Sequence, residues 1–259
     1  MKHNKILLKG LSVLGILSFL FLWELSTDIT GWFAPTSLPS PITVFNTFLS
    51  KWTTAAPDGS TLGVHIISSL KVAFSGYFLG IIIGIPLGIA MAWYKTFDNL
   101  FMPIFNFMRT IPPLAWIPLM IIILGIGLVA KAGIVFISAF IPSVINSYSG
   151  IKHTSNVHIW VAQTFGASRE EILFNVAIPS SLPMIFTGMK VSLNSAWTTL
   201  VAAEMLGAVS GLGFMIQMGR MYIRPDLIVV GMLCIGVIGL ILSVILDLIE
   251  LRFVKGEVV

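Results

Sequence analysis

The sequence predicts an all-α membrane protein with about six membrane-spanning helices, and three observations lead to this fold class. Hydrophobic residues make up 56% of the 259 positions, whereas charged residues make up only 10%. A soluble domain usually carries about 25% charged residues because its surface must be hydrated. The mean hydropathy is +0.97, and apolar blocks of roughly 20 residues, long enough to cross about 30 Å of hydrocarbon, recur along the chain. We therefore expect lipid to be the solvent for most of the surface.

Six apolar blocks are predicted to span the membrane. The first, residues 6–23, contains only Lys9 and is interpreted as an anchor, because no small-residue cleavage site follows it; a removed signal peptide is the alternative. Four blocks contain no Asp, Glu, Lys or Arg at all: 72–94, 110–130, 132–151 and 227–246. The last predicted block, about 182–206, holds Lys190 and Glu204 but is otherwise apolar or small.

The Lys and Arg residues between the blocks indicate the orientation, because cytoplasmic loops retain positive charge. With a cytoplasmic N-terminus, the inner segments hold Lys2, Lys5, Lys9, Lys95, Lys152, Arg169, Arg252 and Lys255. The outer segments then hold Lys51, Lys131, Arg220 and Arg224. Six crossings return the C-terminus to the cytoplasm. The protein is expected in the inner or plasma membrane of the cell. This bias explains the basic excess better than nucleic-acid binding, since the sequence has no dense basic run.

The chain divides into three predicted parts. Residues 1–25 form an N-terminal transmembrane helix. Residues 26–69 form an external segment, in which apolar residues at 42, 45, 48 and 49 suit a short helix lying on the membrane interface. Residues 70–259 form a core of five transmembrane helices and include a polar loop, 153–183, between the fourth and fifth spans.

Glycine and proline predict how two of the spans pack. The second span carries glycine at four-residue intervals, at Gly76, Gly80, Gly84 and Gly88. These glycines share one helix face, which lets a neighbouring backbone approach closely. The third span contains Pro112, Pro113 and Pro118, which remove amide donors and bend a helix. The bend either lines a transport path or is purely structural, and both interpretations stay open.

The loop 153–183 is too polar to insert and has the signals of two short helices. Gly166 is expected to end the first helix, and Ser168 to cap the second, with Glu171 completing a capping box. Pro179 is expected to stop the second helix before the next span begins. Such a helix–turn–helix held against the membrane suits a soluble partner that grips it.

This loop resembles the EAA loop of bacterial ABC-importer permeases, in which an Ala precedes a Gly that is followed by Ile, Leu and Pro. Trp160 and Val161 stand where that family has its Glu and first Ala. The resemblance implies that the loop couples to an ATPase through Ala162, Gly166, Ala167, Ser168, Glu171, Val176, Ile178 and Pro179.

Further segments narrow the resemblance to nitrate/sulfonate/taurine/bicarbonate-type permeases, the binding-protein-dependent inner-membrane components. These segments are Leu38-Pro-Ser-Pro-Ile-Thr-Val, Arg109-Thr-Ile-Pro-Pro-Leu-Ala-Trp-Ile-Pro-Leu, Phe165-Gly-Ala-Ser, and Leu200-Val-Ala-Ala-Glu-Met-Leu-Gly followed by Gly211-Leu-Gly. The resemblance implies a permease that pairs with a second copy of itself, two cytoplasmic ABC ATPases, and an extracytoplasmic solute-binding protein. The resemblance also implies a small, anionic solute of the sulfonate, taurine, nitrate or bicarbonate class.

Other function classes find little support in the residues. The sequence has no Gly-x4-Gly-Lys-Ser/Thr phosphate loop, so energy must come from another polypeptide or, as an alternative, from an ion gradient. It also lacks the motifs of an intramembrane hydrolase, and we expect no enzymatic activity and no cofactor. The single Cys234 and the four histidines have no metal-ligand spacing.

Six residues are candidates for the translocation path or its gates, because ionisable groups within spans are costly and proline breaks expose backbone. They are Arg109, Pro112, Pro113, Trp116, Lys190 and Glu204. Arg109 either attracts an anion or extends to the cytoplasmic headgroups. Lys190 extends to headgroups or contacts the ATPase, and Glu204 forms part of an external gate. Arg220 and Arg224 either face a binding protein or an arriving anion, or bind lipid headgroups.

Overall fold

The computed structural model describes residues 2–253, and every regular element in this range is helical. Lys255, which the orientation argument counted as cytoplasmic, lies outside the described residues. The α-helices are α1 (Lys2–Glu24), α2 (Pro41–Ser50), α3 (Leu62–Trp93), α4 (Lys95–Met108), α5 (Ile117–Leu124), α6 (Leu128–Lys152), α7 (Asn156–Thr164), α8 (Arg169–Ile172), α9 (Ile178–Gly207), α10 (Leu212–Met221) and α11 (Pro225–Phe253).

Four of these helical stretches are long and apolar enough to cross a membrane: α3, α6, α11 and the continuous run Arg169–Gly207. A fifth crossing is available if α4 and Pro113–Leu124, which meet at an angle of 84°, form one broken span. The helix α1 covers the first predicted block. The all-α transmembrane fold class predicted from the sequence is therefore confirmed.

The third predicted span, 110–130, has the wrong boundaries. A 3-10 turn at Pro113–Trp116 leads into α5, which ends at Leu124, and Gly125 then turns the chain with a φ of +74°. Pro112 is extended, with ψ at 136°, because the proline that follows it, Pro113, disfavours a helical conformation at the preceding residue. The predicted bend is correct, but the helix that precedes it is α4, outside the predicted block. The following segment is shorter than expected, so Lys131 lies inside α6, largely buried.

The centre of the bundle is the packing of α3 against α6, where the predicted glycine face lies. A Cβ added to Gly76 would lie 2.6 Å from Cβ of Val135, and one added to Gly80 would lie 2.6 Å from Cβ of Ala139. These distances are shorter than carbon atoms tolerate. The close approach predicted from the four-residue glycine spacing is therefore confirmed.

Hydroxyl groups join α6 to α9 inside the bundle. Ser138 Oγ lies 2.8 Å from Thr199 Oγ1, and Ser143 Oγ lies 2.8 Å from Ser192 Oγ. Ser192 also donates to the carbonyl of Ala139 at 2.8 Å. Since hydrocarbon offers no hydrogen-bond partners, such contacts across helices hold polar side chains within the protein interior. The helices α3, α6 and α9 form the frame on which the candidate sites are built.

At one end of the bundle, opposite the loop 153–183, the short helix α2 lies beside α1 and α11. Ser40 caps α2 by accepting a hydrogen bond from the Thr43 amide at 3.3 Å, as expected for a serine before the first turn. Val44 and Thr47 are buried, while Ile42, Phe45 and Leu49 are exposed. The short helix predicted around 42–49 is therefore present. We refer to this end as the far end and to the other as the loop end.

Candidate functional site

The loop end carries the helix–turn–helix predicted for residues 153–183. The first helix, α7, ends at Thr164, and Gly166 follows with a φ of +82°, a conformation that glycine adopts without strain. Ser168 and Glu171 form the predicted capping box: the Glu171 amide donates to Ser168 Oγ at 3.3 Å, and the Ser168 amide donates to Glu171 Oε2 at 2.7 Å. The Ser168 amide also holds the pKa of Glu171 below its usual value.

Pro179 does not stop the second helix, and this expectation was wrong. The helix α8 passes through a π-helical turn, Leu173–Ala177, directly into α9, so that one helix runs from Arg169 to Gly207. Pro179 lies in the first turn of α9, where a missing amide hydrogen is tolerated. The wider π turn before it takes up the break in the hydrogen-bond ladder. The loop is therefore rigidly continuous with a membrane span.

The surface of the loop presents large apolar side chains to the surroundings. Phe165 is 87% exposed, and Val157, Trp160, Val161 and Phe174 are also exposed. An exposed apolar patch of this kind on a polar loop is typical of a protein-binding surface. Of the eight residues predicted to couple, Gly166, Ser168, Glu171 and Pro179 are exposed, whereas Ala162, Ala167, Val176 and Ile178 are half-buried.

Arg169 joins the loop to the end of α3. Its Nη2 atom donates to the Trp93 carbonyl at 2.6 Å, and its guanidinium lies 5.9 Å and 5.4 Å from the ring centroids of Trp93 and Tyr94. Tyr94 donates its hydroxyl to Glu170 Oε2 at 2.6 Å, and this hydrogen bond raises the pKa of Tyr94. These contacts connect the loop to the end of α3, in addition to its continuity with α9. These pairs could not be predicted from residue spacing, because their partners lie 76 residues apart in sequence.

Arg109 lies at the bend between the two halves of the broken span. It borders a cavity of about 420 Å³ together with Asn106 of α4 and Tyr148 and Ser149 of α6. Its side chain is exposed, and among residues 2–253 no carboxylate forms a salt bridge with it. The cavity thus combines one unpaired cation with an amide and two hydroxyl groups, of which the Tyr148 hydroxyl also lies 3.4 Å from Oδ2 of Asp98.

The remaining path candidates lie at separate places. Pro112, Pro113 and Trp116 form the break after Arg109. Lys190 forms salt bridges to Asp247, at 2.6 Å, and to Glu250 of α11. Glu204 is fully buried at the far end, about 21 Å from Lys190 by the rise of 14 helical residues. These residues therefore do not converge on one site within a single chain.

Arg220 and Arg224 lie at the far end, around the turn between α10 and α11. The Arg224 guanidinium donates to both carboxylate oxygens of Asp226, at 2.9 and 2.6 Å, which raises the pKa of Arg224. Thr47 of α2 donates to the same carboxylate at 2.7 Å. Arg224 thus has a partner within the chain, while the side chain of Arg220 is exposed.

Comparison with known families now identifies the class of protein. Residues 76–256 match the family described as "Binding-protein-dependent transport system inner membrane component". The chain belongs to this family. It is therefore a permease subunit of an ABC importer, a multi-pass protein of the inner membrane and not an enzyme. The family implies an ATPase and a binding protein as partners, and it decides against the gradient-driven carrier that the sequence had left open.

Named relatives and a solved structure agree with this assignment. The permease is 36% identical over 230 residues to the taurine transport system permease protein TauC of Escherichia coli (strain K12). The matched region covers 87% of this chain and 82% of TauC. It is 29% identical over 242 residues to the nitrate import permease protein NrtB of Synechocystis sp. (92% and 86% covered) and 30% identical over 238 residues to the bicarbonate transport system permease protein CmpB of the same organism (89% and 84% covered). A chain of the MetNI methionine ABC transporter in an inward-facing conformation shares the fold, with a TM-score of 0.60 and 22% identity over 75% of this chain and 96% of that one.

Proposed function

We propose that the permease carries a small anion of the sulfonate, taurine, nitrate or bicarbonate class. The names of three relatives support this class, since they are permeases for taurine, nitrate and bicarbonate. The observation that carries the proposal is Arg109, a cation without an acidic partner among the described residues, beside a cavity at the bend of a span. Because the guanidinium has no salt bridge within the described residues, its N–H donors are free to bind an anion.

The chemistry of this cavity suits an anion with several equivalent oxygens. A guanidinium presents parallel N–H donors that match pairs of oxygen atoms on a sulfonate, nitrate or bicarbonate. Asn106, Tyr148 and Ser149 add neutral hydrogen-bonding groups on the same cavity wall. A volume of about 420 Å³ holds a solute of a few heavy atoms together with water. Taurine is the first solute to test, because the taurine permease is the most similar of the three named relatives.

The proposed assembly is a homodimer with both termini in the cytoplasm, so that the loop end faces the ATPases and the far end faces the binding protein. The exposed apolar side chains of the loop support an ATPase contact at that end. Within this arrangement Lys190 braces α9 against α11, and Pro112, Pro113 and Trp116 shape the path beside Arg109. The division into residues 1–25, 26–69 and 70–259 is part of the same proposal.

The test is uptake of radiolabelled taurine into cells that express the complete importer, with nitrate and bicarbonate as competitors. For Arg109→Ala we expect the KM for the imported anion to rise about 10- to 100-fold, because hydrogen bonds to a charged group contribute about 1.5–3 kcal/mol. Arg109→Lys should recover part of the loss, and Arg252→Ala, which removes an exposed arginine near the end of α11, serves as a control. An unchanged KM in Arg109→Ala would refute the role of this cavity, and failure of every anion tested would refute the solute class.

A further inference from the structure

A buried carboxylate at the far end is bound to the first turn of α10. Glu204, the last charged residue of α9, is completely buried, and the Ser69 hydroxyl of α3 lies 2.8 and 2.9 Å from its two oxygens. The Gly213 amide donates to Glu204 Oε2 at 2.9 Å. Ser69 Oγ in turn accepts a hydrogen bond from the Leu212 amide at 2.8 Å. One carboxylate and one hydroxyl thus connect three helices.

The start of α10 depends on these side chains for its hydrogen bonds. The first amides of any helix lack partners within the helix itself. The Gly211 amide donates to Nδ1 of His65, at 3.1 Å, so the amides of residues 211, 212 and 213 are all bound by buried side chains of α3 and α9. Pulling α10 away from these spans would leave three amides without partners and take the Gly213 hydrogen bond from the Glu204 carboxylate, which is costly where water is scarce.

The backbone of Gly211-Leu-Gly is fitted to the same carboxylate. Gly211 has a φ of +130°, which side-chain-bearing residues rarely adopt, and a Cβ there would collide with the Glu204 carboxylate. A Cβ on Gly213 would lie 2.8 Å from Cβ of Glu204. Gly211 and Gly213 are therefore the residues that let the backbone lie directly against Glu204. This contact is a physical reason for the occurrence of all three residues in one sequence motif.

The cluster continues into the segment between α2 and α3. Nε2 of His65 lies 3.3 Å from Oδ2 of Asp58, and Asp58 forms a salt bridge with the buried Lys51. Burial acts to raise the pKa of Asp58, but its contacts with His65 and Lys51 prevail and hold that pKa below the usual value. The ammonium of Lys51 also donates to the carbonyls of Ala55 and Ala56. The far-end segment, α3, α9 and α10 are thus held together by one chain of polar contacts.

We propose that Glu204 is the positioning residue of the far-end gate, where its carboxylate and Ser69 fasten α10 to α3 and α9 so that these elements move as one body during transport. The hydrogen bonds of Glu204, and not its charge, perform this role. The proposal rests on the proposed function because a gate requires a transport path. In this arrangement α10 belongs to the rigid wall of the gate and does not open separately as a flap.

A disulfide tests whether α10 separates from α3 during transport. Ser68 Oγ and Ser210 Oγ are 2.9 Å apart, so cysteines at both positions can form a bond. In a Cys234→Ser background, which removes the only native cysteine, we expect oxidised Ser68→Cys/Ser210→Cys to take up radiolabelled taurine within about twofold of the reduced protein. Loss of uptake on oxidation, restored by reductant, would overturn the proposal. If the Cys234→Ser parent takes up none, the solute is wrong; if only the reduced double-cysteine protein takes up none, the added cysteines themselves block transport. In both cases the accessibility test below decides independently.

Cysteine accessibility tests the role of Glu204 without any solute. Leu212 is buried at the first turn of α10, so Leu212→Cys should react slowly with a membrane-impermeant maleimide. We expect labelling to be at least tenfold faster when Glu204→Ala or Ser69→Ala is added. In Glu204→Gln the labelling rate of Leu212→Cys should stay within about threefold of the parent, because the glutamine amide oxygen can accept the hydrogen bond from the Gly213 amide.

The exposed Met221→Cys at the other end of α10 is the matched control and should label equally in every background that has folded. Ser69→Ala removes a single hydroxyl oxygen and keeps the test decisive if Glu204→Ala does not fold. Unchanged labelling of Leu212→Cys in Ser69→Ala would overturn the proposal. Labelling in Glu204→Gln as fast as in Glu204→Ala would also overturn it, because the charge would then be the essential property.

Discussion

At the scale of single residues, small side chains set the distance between α3 and α6. The glycine face of α3 meets Val135, Ala139 and Ser143 of α6 at distances that leave no room for a Cβ. In lipid this close packing replaces the hydrophobic drive that associates helices in water. The face could be predicted from the sequence because the glycines repeat at the helical period, whereas the identity of the helix opposite could not.

The glycine face gives a prediction with a matched control. Gly80→Ala places a methyl group 2.6 Å from Cβ of Ala139, so we expect a loss of about 1–3 kcal/mol in stability, as for other overpacked interiors. Gly236→Ala in α11 meets no atom within 4 Å and should be neutral or slightly stabilising. Thermal unfolding of both variants in detergent compares them. Equal melting temperatures would contradict the packing described.

The capping box at Ser168 gives a second prediction at this scale. Ser168→Ala should cost the local helix about 1 kcal/mol, which corresponds to amide hydrogen exchange about fivefold faster around 169–173. Ser155 stands at the same position before α7 but makes no capping hydrogen bond, so Ser155→Ala should change exchange little. Equal effects of the two substitutions would show that the hydrogen bonds of Ser168 do not stabilise the loop.

At the scale of elements, the turns and helix caps could be predicted from the sequence, whereas the points at which one helix continues into the next could not. Gly166 and the Ser168–Glu171 pair act within a few residues, so the turn and the capping box followed from spacing. The joining of α8 to α9 through a π turn did not, because a proline after a short helix usually marks an end. The third predicted block was misplaced for a related reason: Lys95 and Asp98 make α4 too polar to be recognised from the sequence as the first helix of a bent pair.

The contact between Arg169 and the end of α3 predicts how loop movement reaches the membrane. Arg169→Ala removes the hydrogen bond to Trp93 and the contact with the Tyr94 ring. We expect uptake to fall at least tenfold while the amount of co-purified ATPase stays within about twofold. Arg252→Ala, which removes an exposed arginine near the end of α11, is the control. Parallel loss of uptake and ATPase binding would instead make Arg169 part of the docking surface itself.

At the scale of the whole molecule, the permease is a frame of three packed spans with a rigid extension at each end. From the loop end, Arg169–Gly207 runs as one helix to the far end. At the far end, Glu204 joins that helix to α3 and α10. The importer class could be predicted from local motifs along the chain, but these contacts could not, because Ser69 and Glu204 are 135 residues apart in sequence.

Co-purification of the tagged permease with its ATPase tests most directly the claim that the loop couples the permease to ATP hydrolysis. Gly166→Glu places a charged side chain at the turn between α7 and α8, where φ is positive and the space around Cα is open. Gly59→Glu makes the same substitution at a far-end glycine with positive φ and equally open surroundings. We predict that Gly166→Glu loses the ATPase and Gly59→Glu retains it. Retention of the ATPase by Gly166→Glu, or equal loss in both variants, would contradict the account.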